Sequence, residues 1–460
     1  MRVFGHHIRR MTVFLCILEA AIFVATFFAV AQGLPVAGVV PITFGTFLEV
    51  AVAPAFTLFL AMIALGTYNI DVLQAPVAAT HRLVAVALLG GAALLIVVAL
   101  GVSDMISTRQ LLIAEAAAFP LILGARLGVR YLTAMPALRS RTLVIGTGDS
   151  ALRIWEAMRG DKLGRLFGFV AFGSDPSMVR VPMGRIVQRP DSIAKYASAS
   201  NIDQVVVALD DQSNQMPVEE LLQCRAQGIS IDDASSFIER ETGKVDLEGM
   251  RASWLIFGES FRISWIGMAC KRGLDIIVSG SLLILFAPVL ILTAVIIKLD
   301  SPGPVFYRQT RVGLNGQPYS ILKFRSMVQD AEKDGKAIWA RRGDARVTRV
   351  GSILRKARID EIPQAINVLK GDMSFVGPRP ERPQFVDQLS NEIAYFNERH
   401  RVKPGITGWA QINYPYGASV EDAREKLKYD LYYIKNQSLV FDLVIILQTV
   451  RIVLFAEGAR

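Results

Sequence analysis

Four apolar runs, each close to the ~20 residues that cross a hydrocarbon core, fill the first 139 residues and dictate the class of fold. They are Met11–Ala31, Phe47–Leu65, Leu83–Val102 and Leu111–Val129. A mean hydropathy of +0.38 over the chain agrees with membrane segments rather than an ordinary soluble protein. The first run is too long for a removable signal peptide and lacks a small-residue cleavage signature. Arg2, Arg9 and Arg10 precede it, and Arg126, Arg130, Arg139 and Arg141 gather at the end of the fourth. Positive-inside asymmetry therefore puts both ends of the block in the cytoplasm. Glu19, Glu49 and Glu115 lie in or beside the runs, and no complementary Lys or Arg is expected to pair with them there. Residues 1–139 read as a four-helix transmembrane anchor rather than a transporter.

From residue 140 the pattern changes to short apolar runs separated by polar helices. Strands are expected at Thr142–Ile145, Leu166–Phe172, Ile202–Leu209 and Gly228–Ile231, with helices at Leu152–Met158, near Asp191–Ala197 and at Val218–Gln227. This βαβ alternation makes 140–261 a Rossmann-like cytoplasmic domain with a parallel sheet. Gly146-Thr-Gly-Asp-Ser-Ala151 follows the first strand, where backbone N–H groups can meet a phosphate. No acidic residue ends a second strand at the expected distance, so a structural or regulatory domain fits better than a cofactor site. Thr242–Trp254 reads as an exit linker.

A fifth apolar run, Leu274–Ile297, carries Asp275 as its only charge and is flanked by Lys271-Arg272 and Lys298. A full crossing would export a tail, residues 298–460, that holds 26 Lys/Arg against 18 Asp/Glu. Pro288 sits near its middle and removes a helical hydrogen bond. A bent helix that leaves by the leaflet it entered satisfies both facts, with Ser279 or Ser281 as partners for the broken backbone. A kinked fifth span remains the other reading.

The tail carries the chemistry. Gly351–Ile366 reads as a helix with adjacent acids, Asp360-Glu361, near a break or restart at Pro363. Arg355, Lys356 and Arg358 precede them, and the rigid loop Gly377-Pro378-Arg379-Pro380 follows. A carboxylate among fixed cations suits chemistry on phosphate esters, although a solvated, ion-paired helix would use the same letters. Phe306–Gly313 and Gln317–Met327 read as strands carrying Arg308, Arg311, Lys323 and Arg325; their Tyr319/Lys323 spacing is a chance match to a dehydrogenase pair. Ala331–Arg342 reads as a polar helix or mobile loop. In the stretches His400–Gln411 and Tyr429–Lys435, Arg401 and its basic neighbours beside Trp409 and the tyrosines offer a cradle for a nucleotide or headgroup. Leu439–Phe455 reads as a helix on the membrane surface or against the core. Three scattered cysteines and four histidines argue against a disulfide framework or a zinc enzyme. The basic balance points to an anionic membrane face or anionic substrates rather than nucleic acid.

KRGLDI, SPGPVFYRQTRVGLNG, LKFRSM, RIDEIPQAINVLKGDMSFVGPRP, HRVKPGITGWAQIN and YDLYYIKN occur in order over 262–460. Together they resemble the bacterial sugar transferase family, the monotopic polyprenyl-phosphate sugar-1-phosphate transferases. The spans and middle domain are similar to its long members, and FIERETGKVDLEGM and SWLIFG to an exopolysaccharide-associated subgroup. The resemblance implies a C-terminal mixed α/β phosphoglycosyl transferase domain, 262–460, with a re-entrant helix at 274–297 broken at Pro288 and surface amphipathic helices. It implies a cytoplasmic catalytic domain on a multi-pass protein of the bacterial inner membrane. Asp360 would attack the sugar-proximal phosphorus of a nucleotide diphosphate sugar, with UDP-glucose first by analogy, releasing UMP. The covalent phosphosugar would pass to polyprenyl (undecaprenyl) phosphate, the first membrane step of exopolysaccharide or O-antigen synthesis. Glu361 would hold Mg²⁺ or orient the nucleophile, and Lys323, Arg325, Arg355, Arg379, Pro380 and Arg401 would bind phosphate and nucleotide. Two departures stand out: Arg358-Ile359, where many members have Ser-Leu, and Ala287 before Pro288, where others often have Ser. Membrane lipids are partners, and a homodimer through the spans stays open. The rival readings are a non-enzymatic scaffold or regulator of polysaccharide assembly, and a membrane-anchored nucleotide-sugar dehydratase.

Overall fold

The computed structural model describes residues 2–3, 6–7, 10–33, 44–68, 72, 76–99, 108–134, 140–158, 165–172, 179–210, 216–250, 264–328, 344, 346–414, 417 and 419–454. Residues 1–129 and 259–460 form one compact unit, and 130–258 form another.

The N-terminal runs are helices: α1 (Arg10–Gly33), α2 (Phe44–Ala64), α3 (Pro76–Ala99) and α4 (Thr108–Ala134). Segments Val13–Gly33 in α1 and Thr108–Leu132 in α4 are long and apolar enough to cross a membrane. The described parts of α2 and α3 contribute the shorter apolar helices Pro54–Ala64 and Ala79–Ala92. Phe23, Leu58, Met62, Leu83, Val86 and Ile122 pack between the helices. Phe14, Ile17, Leu88 and Leu121 stay exposed, so these helices are apolar inside and out, as a lipid solvent permits.

One expectation needs correcting here: Glu19 does have a cationic partner. Arg126 Nη2 donates to Glu19 Oε2 at 2.9 Å, Arg126 Nη1 to the Thr67 carbonyl at 3.0 Å, and Tyr68 Oη to Glu19 at 2.8 Å. Helix α4 continues to Ala134, so Arg126 lies about two turns inside it rather than at its end. A buried pair satisfied on several sides is a structural tie between α1 and α4. Glu115 packs against Gly90 and Gly91 of α3, and the side chain of Glu49 lies outside the described residues.

In the second unit, β1 (Thr142–Ile145), β2 (Leu166–Val170), β3 (Ile186–Val187), β4 (Gln204–Val207) and β5 (Ser230–Asp233) form one parallel sheet. Its order is β3-β2-β1-β4-β5. Successive strand residues face opposite ways. Leu143, Ile145, Val205 and Val207 thus pack on α6 (Ile193–Ala199) and α7 (Val218–Ala226). Val144 and Val206 face α5 (Asp149–Met158) and α8 (Ala234–Thr242). The last strand begins at Ser230 rather than Gly228, and α6 at Ile193 rather than near Asp191.

The glycine loop before α5 is already filled. The Asp210 carboxylate accepts from the N–H groups of Asp149 at 2.9 Å and Ser150 at 2.8 Å. A Cβ on Gly148 would lie 1.9 Å from that carboxylate, so glycine here admits the chain's own anion. The expected exit linker is also corrected in part. Val245 and Leu247 are buried, and Asp246 pairs with Arg153 at 3.2 Å, because these residues close the α5–α8 side of the core. Arg251–Trp254 lie outside the described residues.

The C-terminal part opens with α9 (Trp265–Leu285) and α10 (Ala287–Asp300), bent by 62° at Phe286. Pro288 stands in the first turn of α10, where its missing N–H costs little. Among the described residues the expected serine rescue is absent: Ser279 Oγ is buried without a partner and Ser281 is exposed. Backbone bonds from Phe286 N to Leu282 O (3.0 Å) and Leu290 N to Phe286 O (2.8 Å) span the break instead.

Polar residues of α9 anchor it to the domain, which also contains β6 (Phe306–Val312), β7 (Pro318–Phe324), α11 (Arg349–Lys356), α12 (Gln364–Lys370) and β8 (Ser374–Val376). Completing it are α13 (Pro383–Glu392), β9 (Gly405–Thr407), α14 (Trp409–Asn413), α15 (Val420–Lys435) and α16 (Leu439–Leu454). β6 and β7 pair antiparallel, and β8 and β9 parallel. Lys271 reaches Asp442 of α16 at 2.7 Å, and Arg272 donates to the carbonyls of Val368 (2.6 Å) and Leu369 (2.8 Å) at the end of α12. Asp275, the one charge in the apolar run, accepts from Ser374 Oγ at 2.9 Å and Phe375 N at 3.0 Å. It faces β8, which explains a carboxylate in an otherwise lipid-length segment.

Candidate active site

The acid pair sits in a break between helices. Thr348 caps α11 by accepting from Gly351 N at 2.9 Å. The chain then reverses at Arg358 (φ 55, ψ 19), passes through a 3₁₀ turn at Ile359–Glu361 and enters α12 after Pro363. The helix expected over 351–366 is interrupted at Arg358, and the restart expected at Pro363 is present, since Pro363 is the N-cap of α12. A left-handed arginine costs about 1 kcal/mol relative to the helical basin. The reversal turns both carboxylates inward, leaving Asp360 8% and Glu361 9% exposed.

Two neighbouring segments bring cations to the pair. Asn367 of α12 grips β7, accepting from Leu322 N at 2.9 Å and donating to Ser320 O at 2.8 Å. That fixes Lys323, whose Nζ donates to Glu361 Oε1 at 2.8 Å. The loop after β8 is tied at successive positions: Gly377 N to Thr407 O (2.9 Å), Gly405 N to Pro378 O (2.9 Å), Arg311 to Pro380 O (3.1 Å) and Val312 N to Glu381 O (3.0 Å). A Cβ at Gly377 would meet the Lys403 carbonyl at 2.4 Å, so only glycine allows this close approach. Arg399, itself paired with buried Asp430 at 2.8 Å, donates to the Arg379 carbonyl at 3.0 Å. So held, Arg379 donates from Nη2 to Glu361 Oε1 at 2.6 Å and from Nη1 to Gln411 Oε1 at 3.4 Å.

The two acids thereby differ in character. Glu361 would be raised by burial, but Arg379 and Lys323 outweigh that and hold it well below the usual carboxylate range. Asp360 makes no side-chain hydrogen bond and no ion pair among the described residues. Burial, and then the charge of Glu361, push it up to about 6 against the opposing cations Lys323, Arg355 and Arg379. A poorly solvated, unpaired carboxylate beside a fixed anion–cation cluster is the more nucleophilic of the two.

Of the residues expected at the site, the structure brings Asp360, Glu361, Lys323 and Arg379 together, with Arg355 close enough for its charge to act on Asp360. Pro380 is buried in the tied loop. Arg325 is a correction. It is 6% exposed and caps the end of α10 through the carbonyls of Ser301 (2.7 Å), Pro302 (2.8 Å) and Ile297 (3.2 Å). These bonds engage its guanidinium at the end of α10 rather than at the acid pair. Arg401 pairs with Glu398 in its own 3₁₀ helix. The aromatic cradle is corrected as well: Trp409 meets Phe441 edge-on (4.9 Å between centroids) and stacks on Tyr432, with Tyr433 buried beside them, as core. Lys323 bonds Glu361, so its spacing from Tyr319 has no dehydrogenase geometry. Ala331–Arg342 lies outside the described residues. Sequence reading missed Arg399, Asp430 and the Gln411 contact, which a motif search shows only as parts of longer blocks.

Among the described residues no three His, Cys, Asp or Glu side chains converge on a metal position. Glu361 already faces two cations. A magnesium ion fits here only as a companion of a substrate diphosphate, with the acid pair supplying one or two oxygens and phosphate and water the rest.

A family model described as bacterial sugar transferase matches residues 266–456. The UDP-N-acetylgalactosamine-undecaprenyl-phosphate N-acetylgalactosaminephosphotransferase of Aeromonas hydrophila is 44% identical over 277 residues, covering 60% of this chain and 63% of that protein. The UDP-glucose:undecaprenyl-phosphate glucose-1-phosphate transferase of Caulobacter vibrioides is 48% identical over 192 residues, 41% of this chain and 71% of that one. An uncharacterized sugar transferase of Bacillus subtilis, EpsL, is 39% identical over 193 residues, 91% of its length. The chain thus spans less than two thirds of the Aeromonas relative and most of the shorter two.

Proposed function

Because the chain belongs to the bacterial sugar transferase family, we propose that it transfers a sugar 1-phosphate from a UDP-sugar to undecaprenyl phosphate. The observation that carries this reading is the asymmetry of the acid pair, with Glu361 locked by Lys323 and Arg379 and Asp360 left unbonded. Asp360 attacks the phosphorus that bears the sugar, and the bond from that phosphorus to the nucleoside phosphate breaks, releasing UMP. The lipid phosphate oxygen then attacks the same phosphorus, and the Asp360 carboxylate departs as the undecaprenyl-diphospho-sugar forms. Lys323 and Arg379 offset phosphoryl charge as it moves, from positions fixed before substrate arrives. The acid pair would hold a magnesium ion together with the substrate diphosphate, and that ion would supply further neutralisation of the charge.

Relatives named for UDP-glucose and for UDP-N-acetylgalactosamine support a UDP-hexose donor, with glucose the first candidate. The bend between α9 and α10 supports a re-entrant hairpin, since exposed apolar Ile276, Ile277, Ile291 and Leu292 line both arms while its polar residues hold the domain. Such a hairpin keeps the site at the cytoplasmic face of the inner membrane, where a soluble donor meets a lipid acceptor. The four N-terminal helices are read as spans, and the parallel-sheet unit as a Rossmann-like structural or regulatory domain whose phosphate loop Asp210 occupies. The product would open an exopolysaccharide or O-antigen repeat unit.

Purified protein in detergent or nanodiscs, with Mg²⁺, undecaprenyl phosphate and radiolabelled UDP-glucose or UDP-N-acetylgalactosamine, tests this directly. One donor is expected to give labelled lipid and free UMP in equal amounts. Labelled nucleotide converted without UMP release would favour a dehydratase, and an inert protein across a donor screen would favour a scaffold.

A further inference from the structure

Four cations, Lys323, Arg355, Arg358 and Arg379, act on the two carboxylates of the site, an excess of positive charge that fits an anionic ligand. They are not equally available. Lys323 and Arg379 are engaged with Glu361 at 2.8 and 2.6 Å. The Arg358 guanidinium makes no hydrogen bond among the described residues, and its one ion pair, to Glu361, is long at 3.8 Å. Its side chain is 30% exposed, so a ligand entering from solvent can reach it.

The backbone at this position adds a second, independent observation. Arg358 follows Ala357, the C-cap of α11, in the left-handed conformation, φ 55 and ψ 19, at the place where helices commonly end in glycine. Glycine would adopt it without strain, and asparagine with little. A bulky cation held there, unbonded and two residues before the candidate nucleophile, is strain located at a working position.

We propose that Arg358 is a further phosphate-binding residue, whose guanidinium takes oxygens of a substrate phosphate as it comes in line with Asp360. The inference rests on the transferase reading and extends it. Two substrates bring that chemistry, the nucleotide diphosphate and the lipid phosphate. A guanidinium can hold either through paired N–H donors, so the source is set by which substrate's binding weakens without it.

The test uses the full-length protein with Arg358→Asn, which keeps the left-handed backbone accessible, and Arg358→Lys. One arm measures single-turnover UMP release from UDP-sugar without lipid; the other measures the KM for undecaprenyl phosphate. Arg358→Asn is expected to weaken one arm by about 10-fold or more, the size of a lost charged hydrogen bond, with an unchanged or higher melting temperature. Arg358→Lys should restore part of it. A defect in the first arm assigns the diphosphate, and one in the second assigns the lipid. Activity within about twofold of wild type in both arms, or a loss that tracks a lowered melting temperature, would overturn the inference while leaving the transferase intact. A wild-type protein silent in both arms would overturn the transferase reading and this inference with it.

Discussion

Asp360→Asn is expected to lower UMP release by about 10⁴-fold or more, because an amide cannot displace a phosphate leaving group. Asparagine nearly matches aspartate in shape, and Asp360 makes no described hydrogen bond that the change would break. Single-turnover release of UMP is the reading; a residual rate within tenfold of wild type would remove Asp360 from the covalent role. The same substitution should stabilise the protein at neutral pH. The folded-state value of about 6 lies above that of an unfolded aspartate, about 4. Below pH ~4 both states keep the proton. Between pH ~4 and ~6 the unfolded chain releases it while the folded site retains it, so folding loses stability across that window. Above it a constant penalty on the order of 2–3 kcal/mol remains. Asparagine removes this term, so its melting temperature should exceed that of wild type at pH 7.5 and converge with it near pH 4. A gain in stability beside a loss of turnover marks a group strained for function.

Glu361→Gln is expected to cost about 10²–10³ in kcat/KM, the scale seen when an electrostatic element of a site is removed. Glutamine keeps the length of the side chain but not the charge that aligns Lys323 and Arg379. It should also move the acid limb of the rate profile. In the wild type, activity is expected to fall as the pH drops through about 6, where Asp360 takes up a proton. The Glu361 charge helps raise Asp360, so its removal lowers that value and shifts the limb to lower pH. Profiles of kcat/KM between pH 4.5 and 8 separate the outcomes. An unshifted limb would mean that the two carboxylates do not interact.

Much of this arrangement is legible in local sequence. Lipid-length apolar runs announce α1 to α4 because hydropathy over about 20 residues needs no tertiary information. Pro288 marks the bend since a missing N–H acts on its own helix. The acids, Lys323 and Arg379 are recognisable from residue type and block order. What escapes is set by distant partners. Arg325 has the look of a phosphate ligand, yet it caps α10 at Ile297–Pro302. Arg126 reads as a membrane-edge charge until α1 places Glu19 against it. The glycine loop at 146–151 reads as an open phosphate cradle, and only the fold brings Asp210 into it across 60 residues. Arg358 belongs to the same class. Its charge is plain in the sequence, but its backbone reversal depends on how α11 and α12 must diverge to bury the acids.

The covalent step itself can be observed. The protein is mixed with UDP-sugar and Mg²⁺ in the absence of lipid, quenched within one turnover, digested and analysed by mass spectrometry. The expected result is a hexose phosphate adduct on the peptide containing Asp360, which disappears when undecaprenyl phosphate is added before the quench. UMP released in step with lipid-linked product but without any adduct, or an adduct on another residue, would contradict Asp360 as the nucleophile.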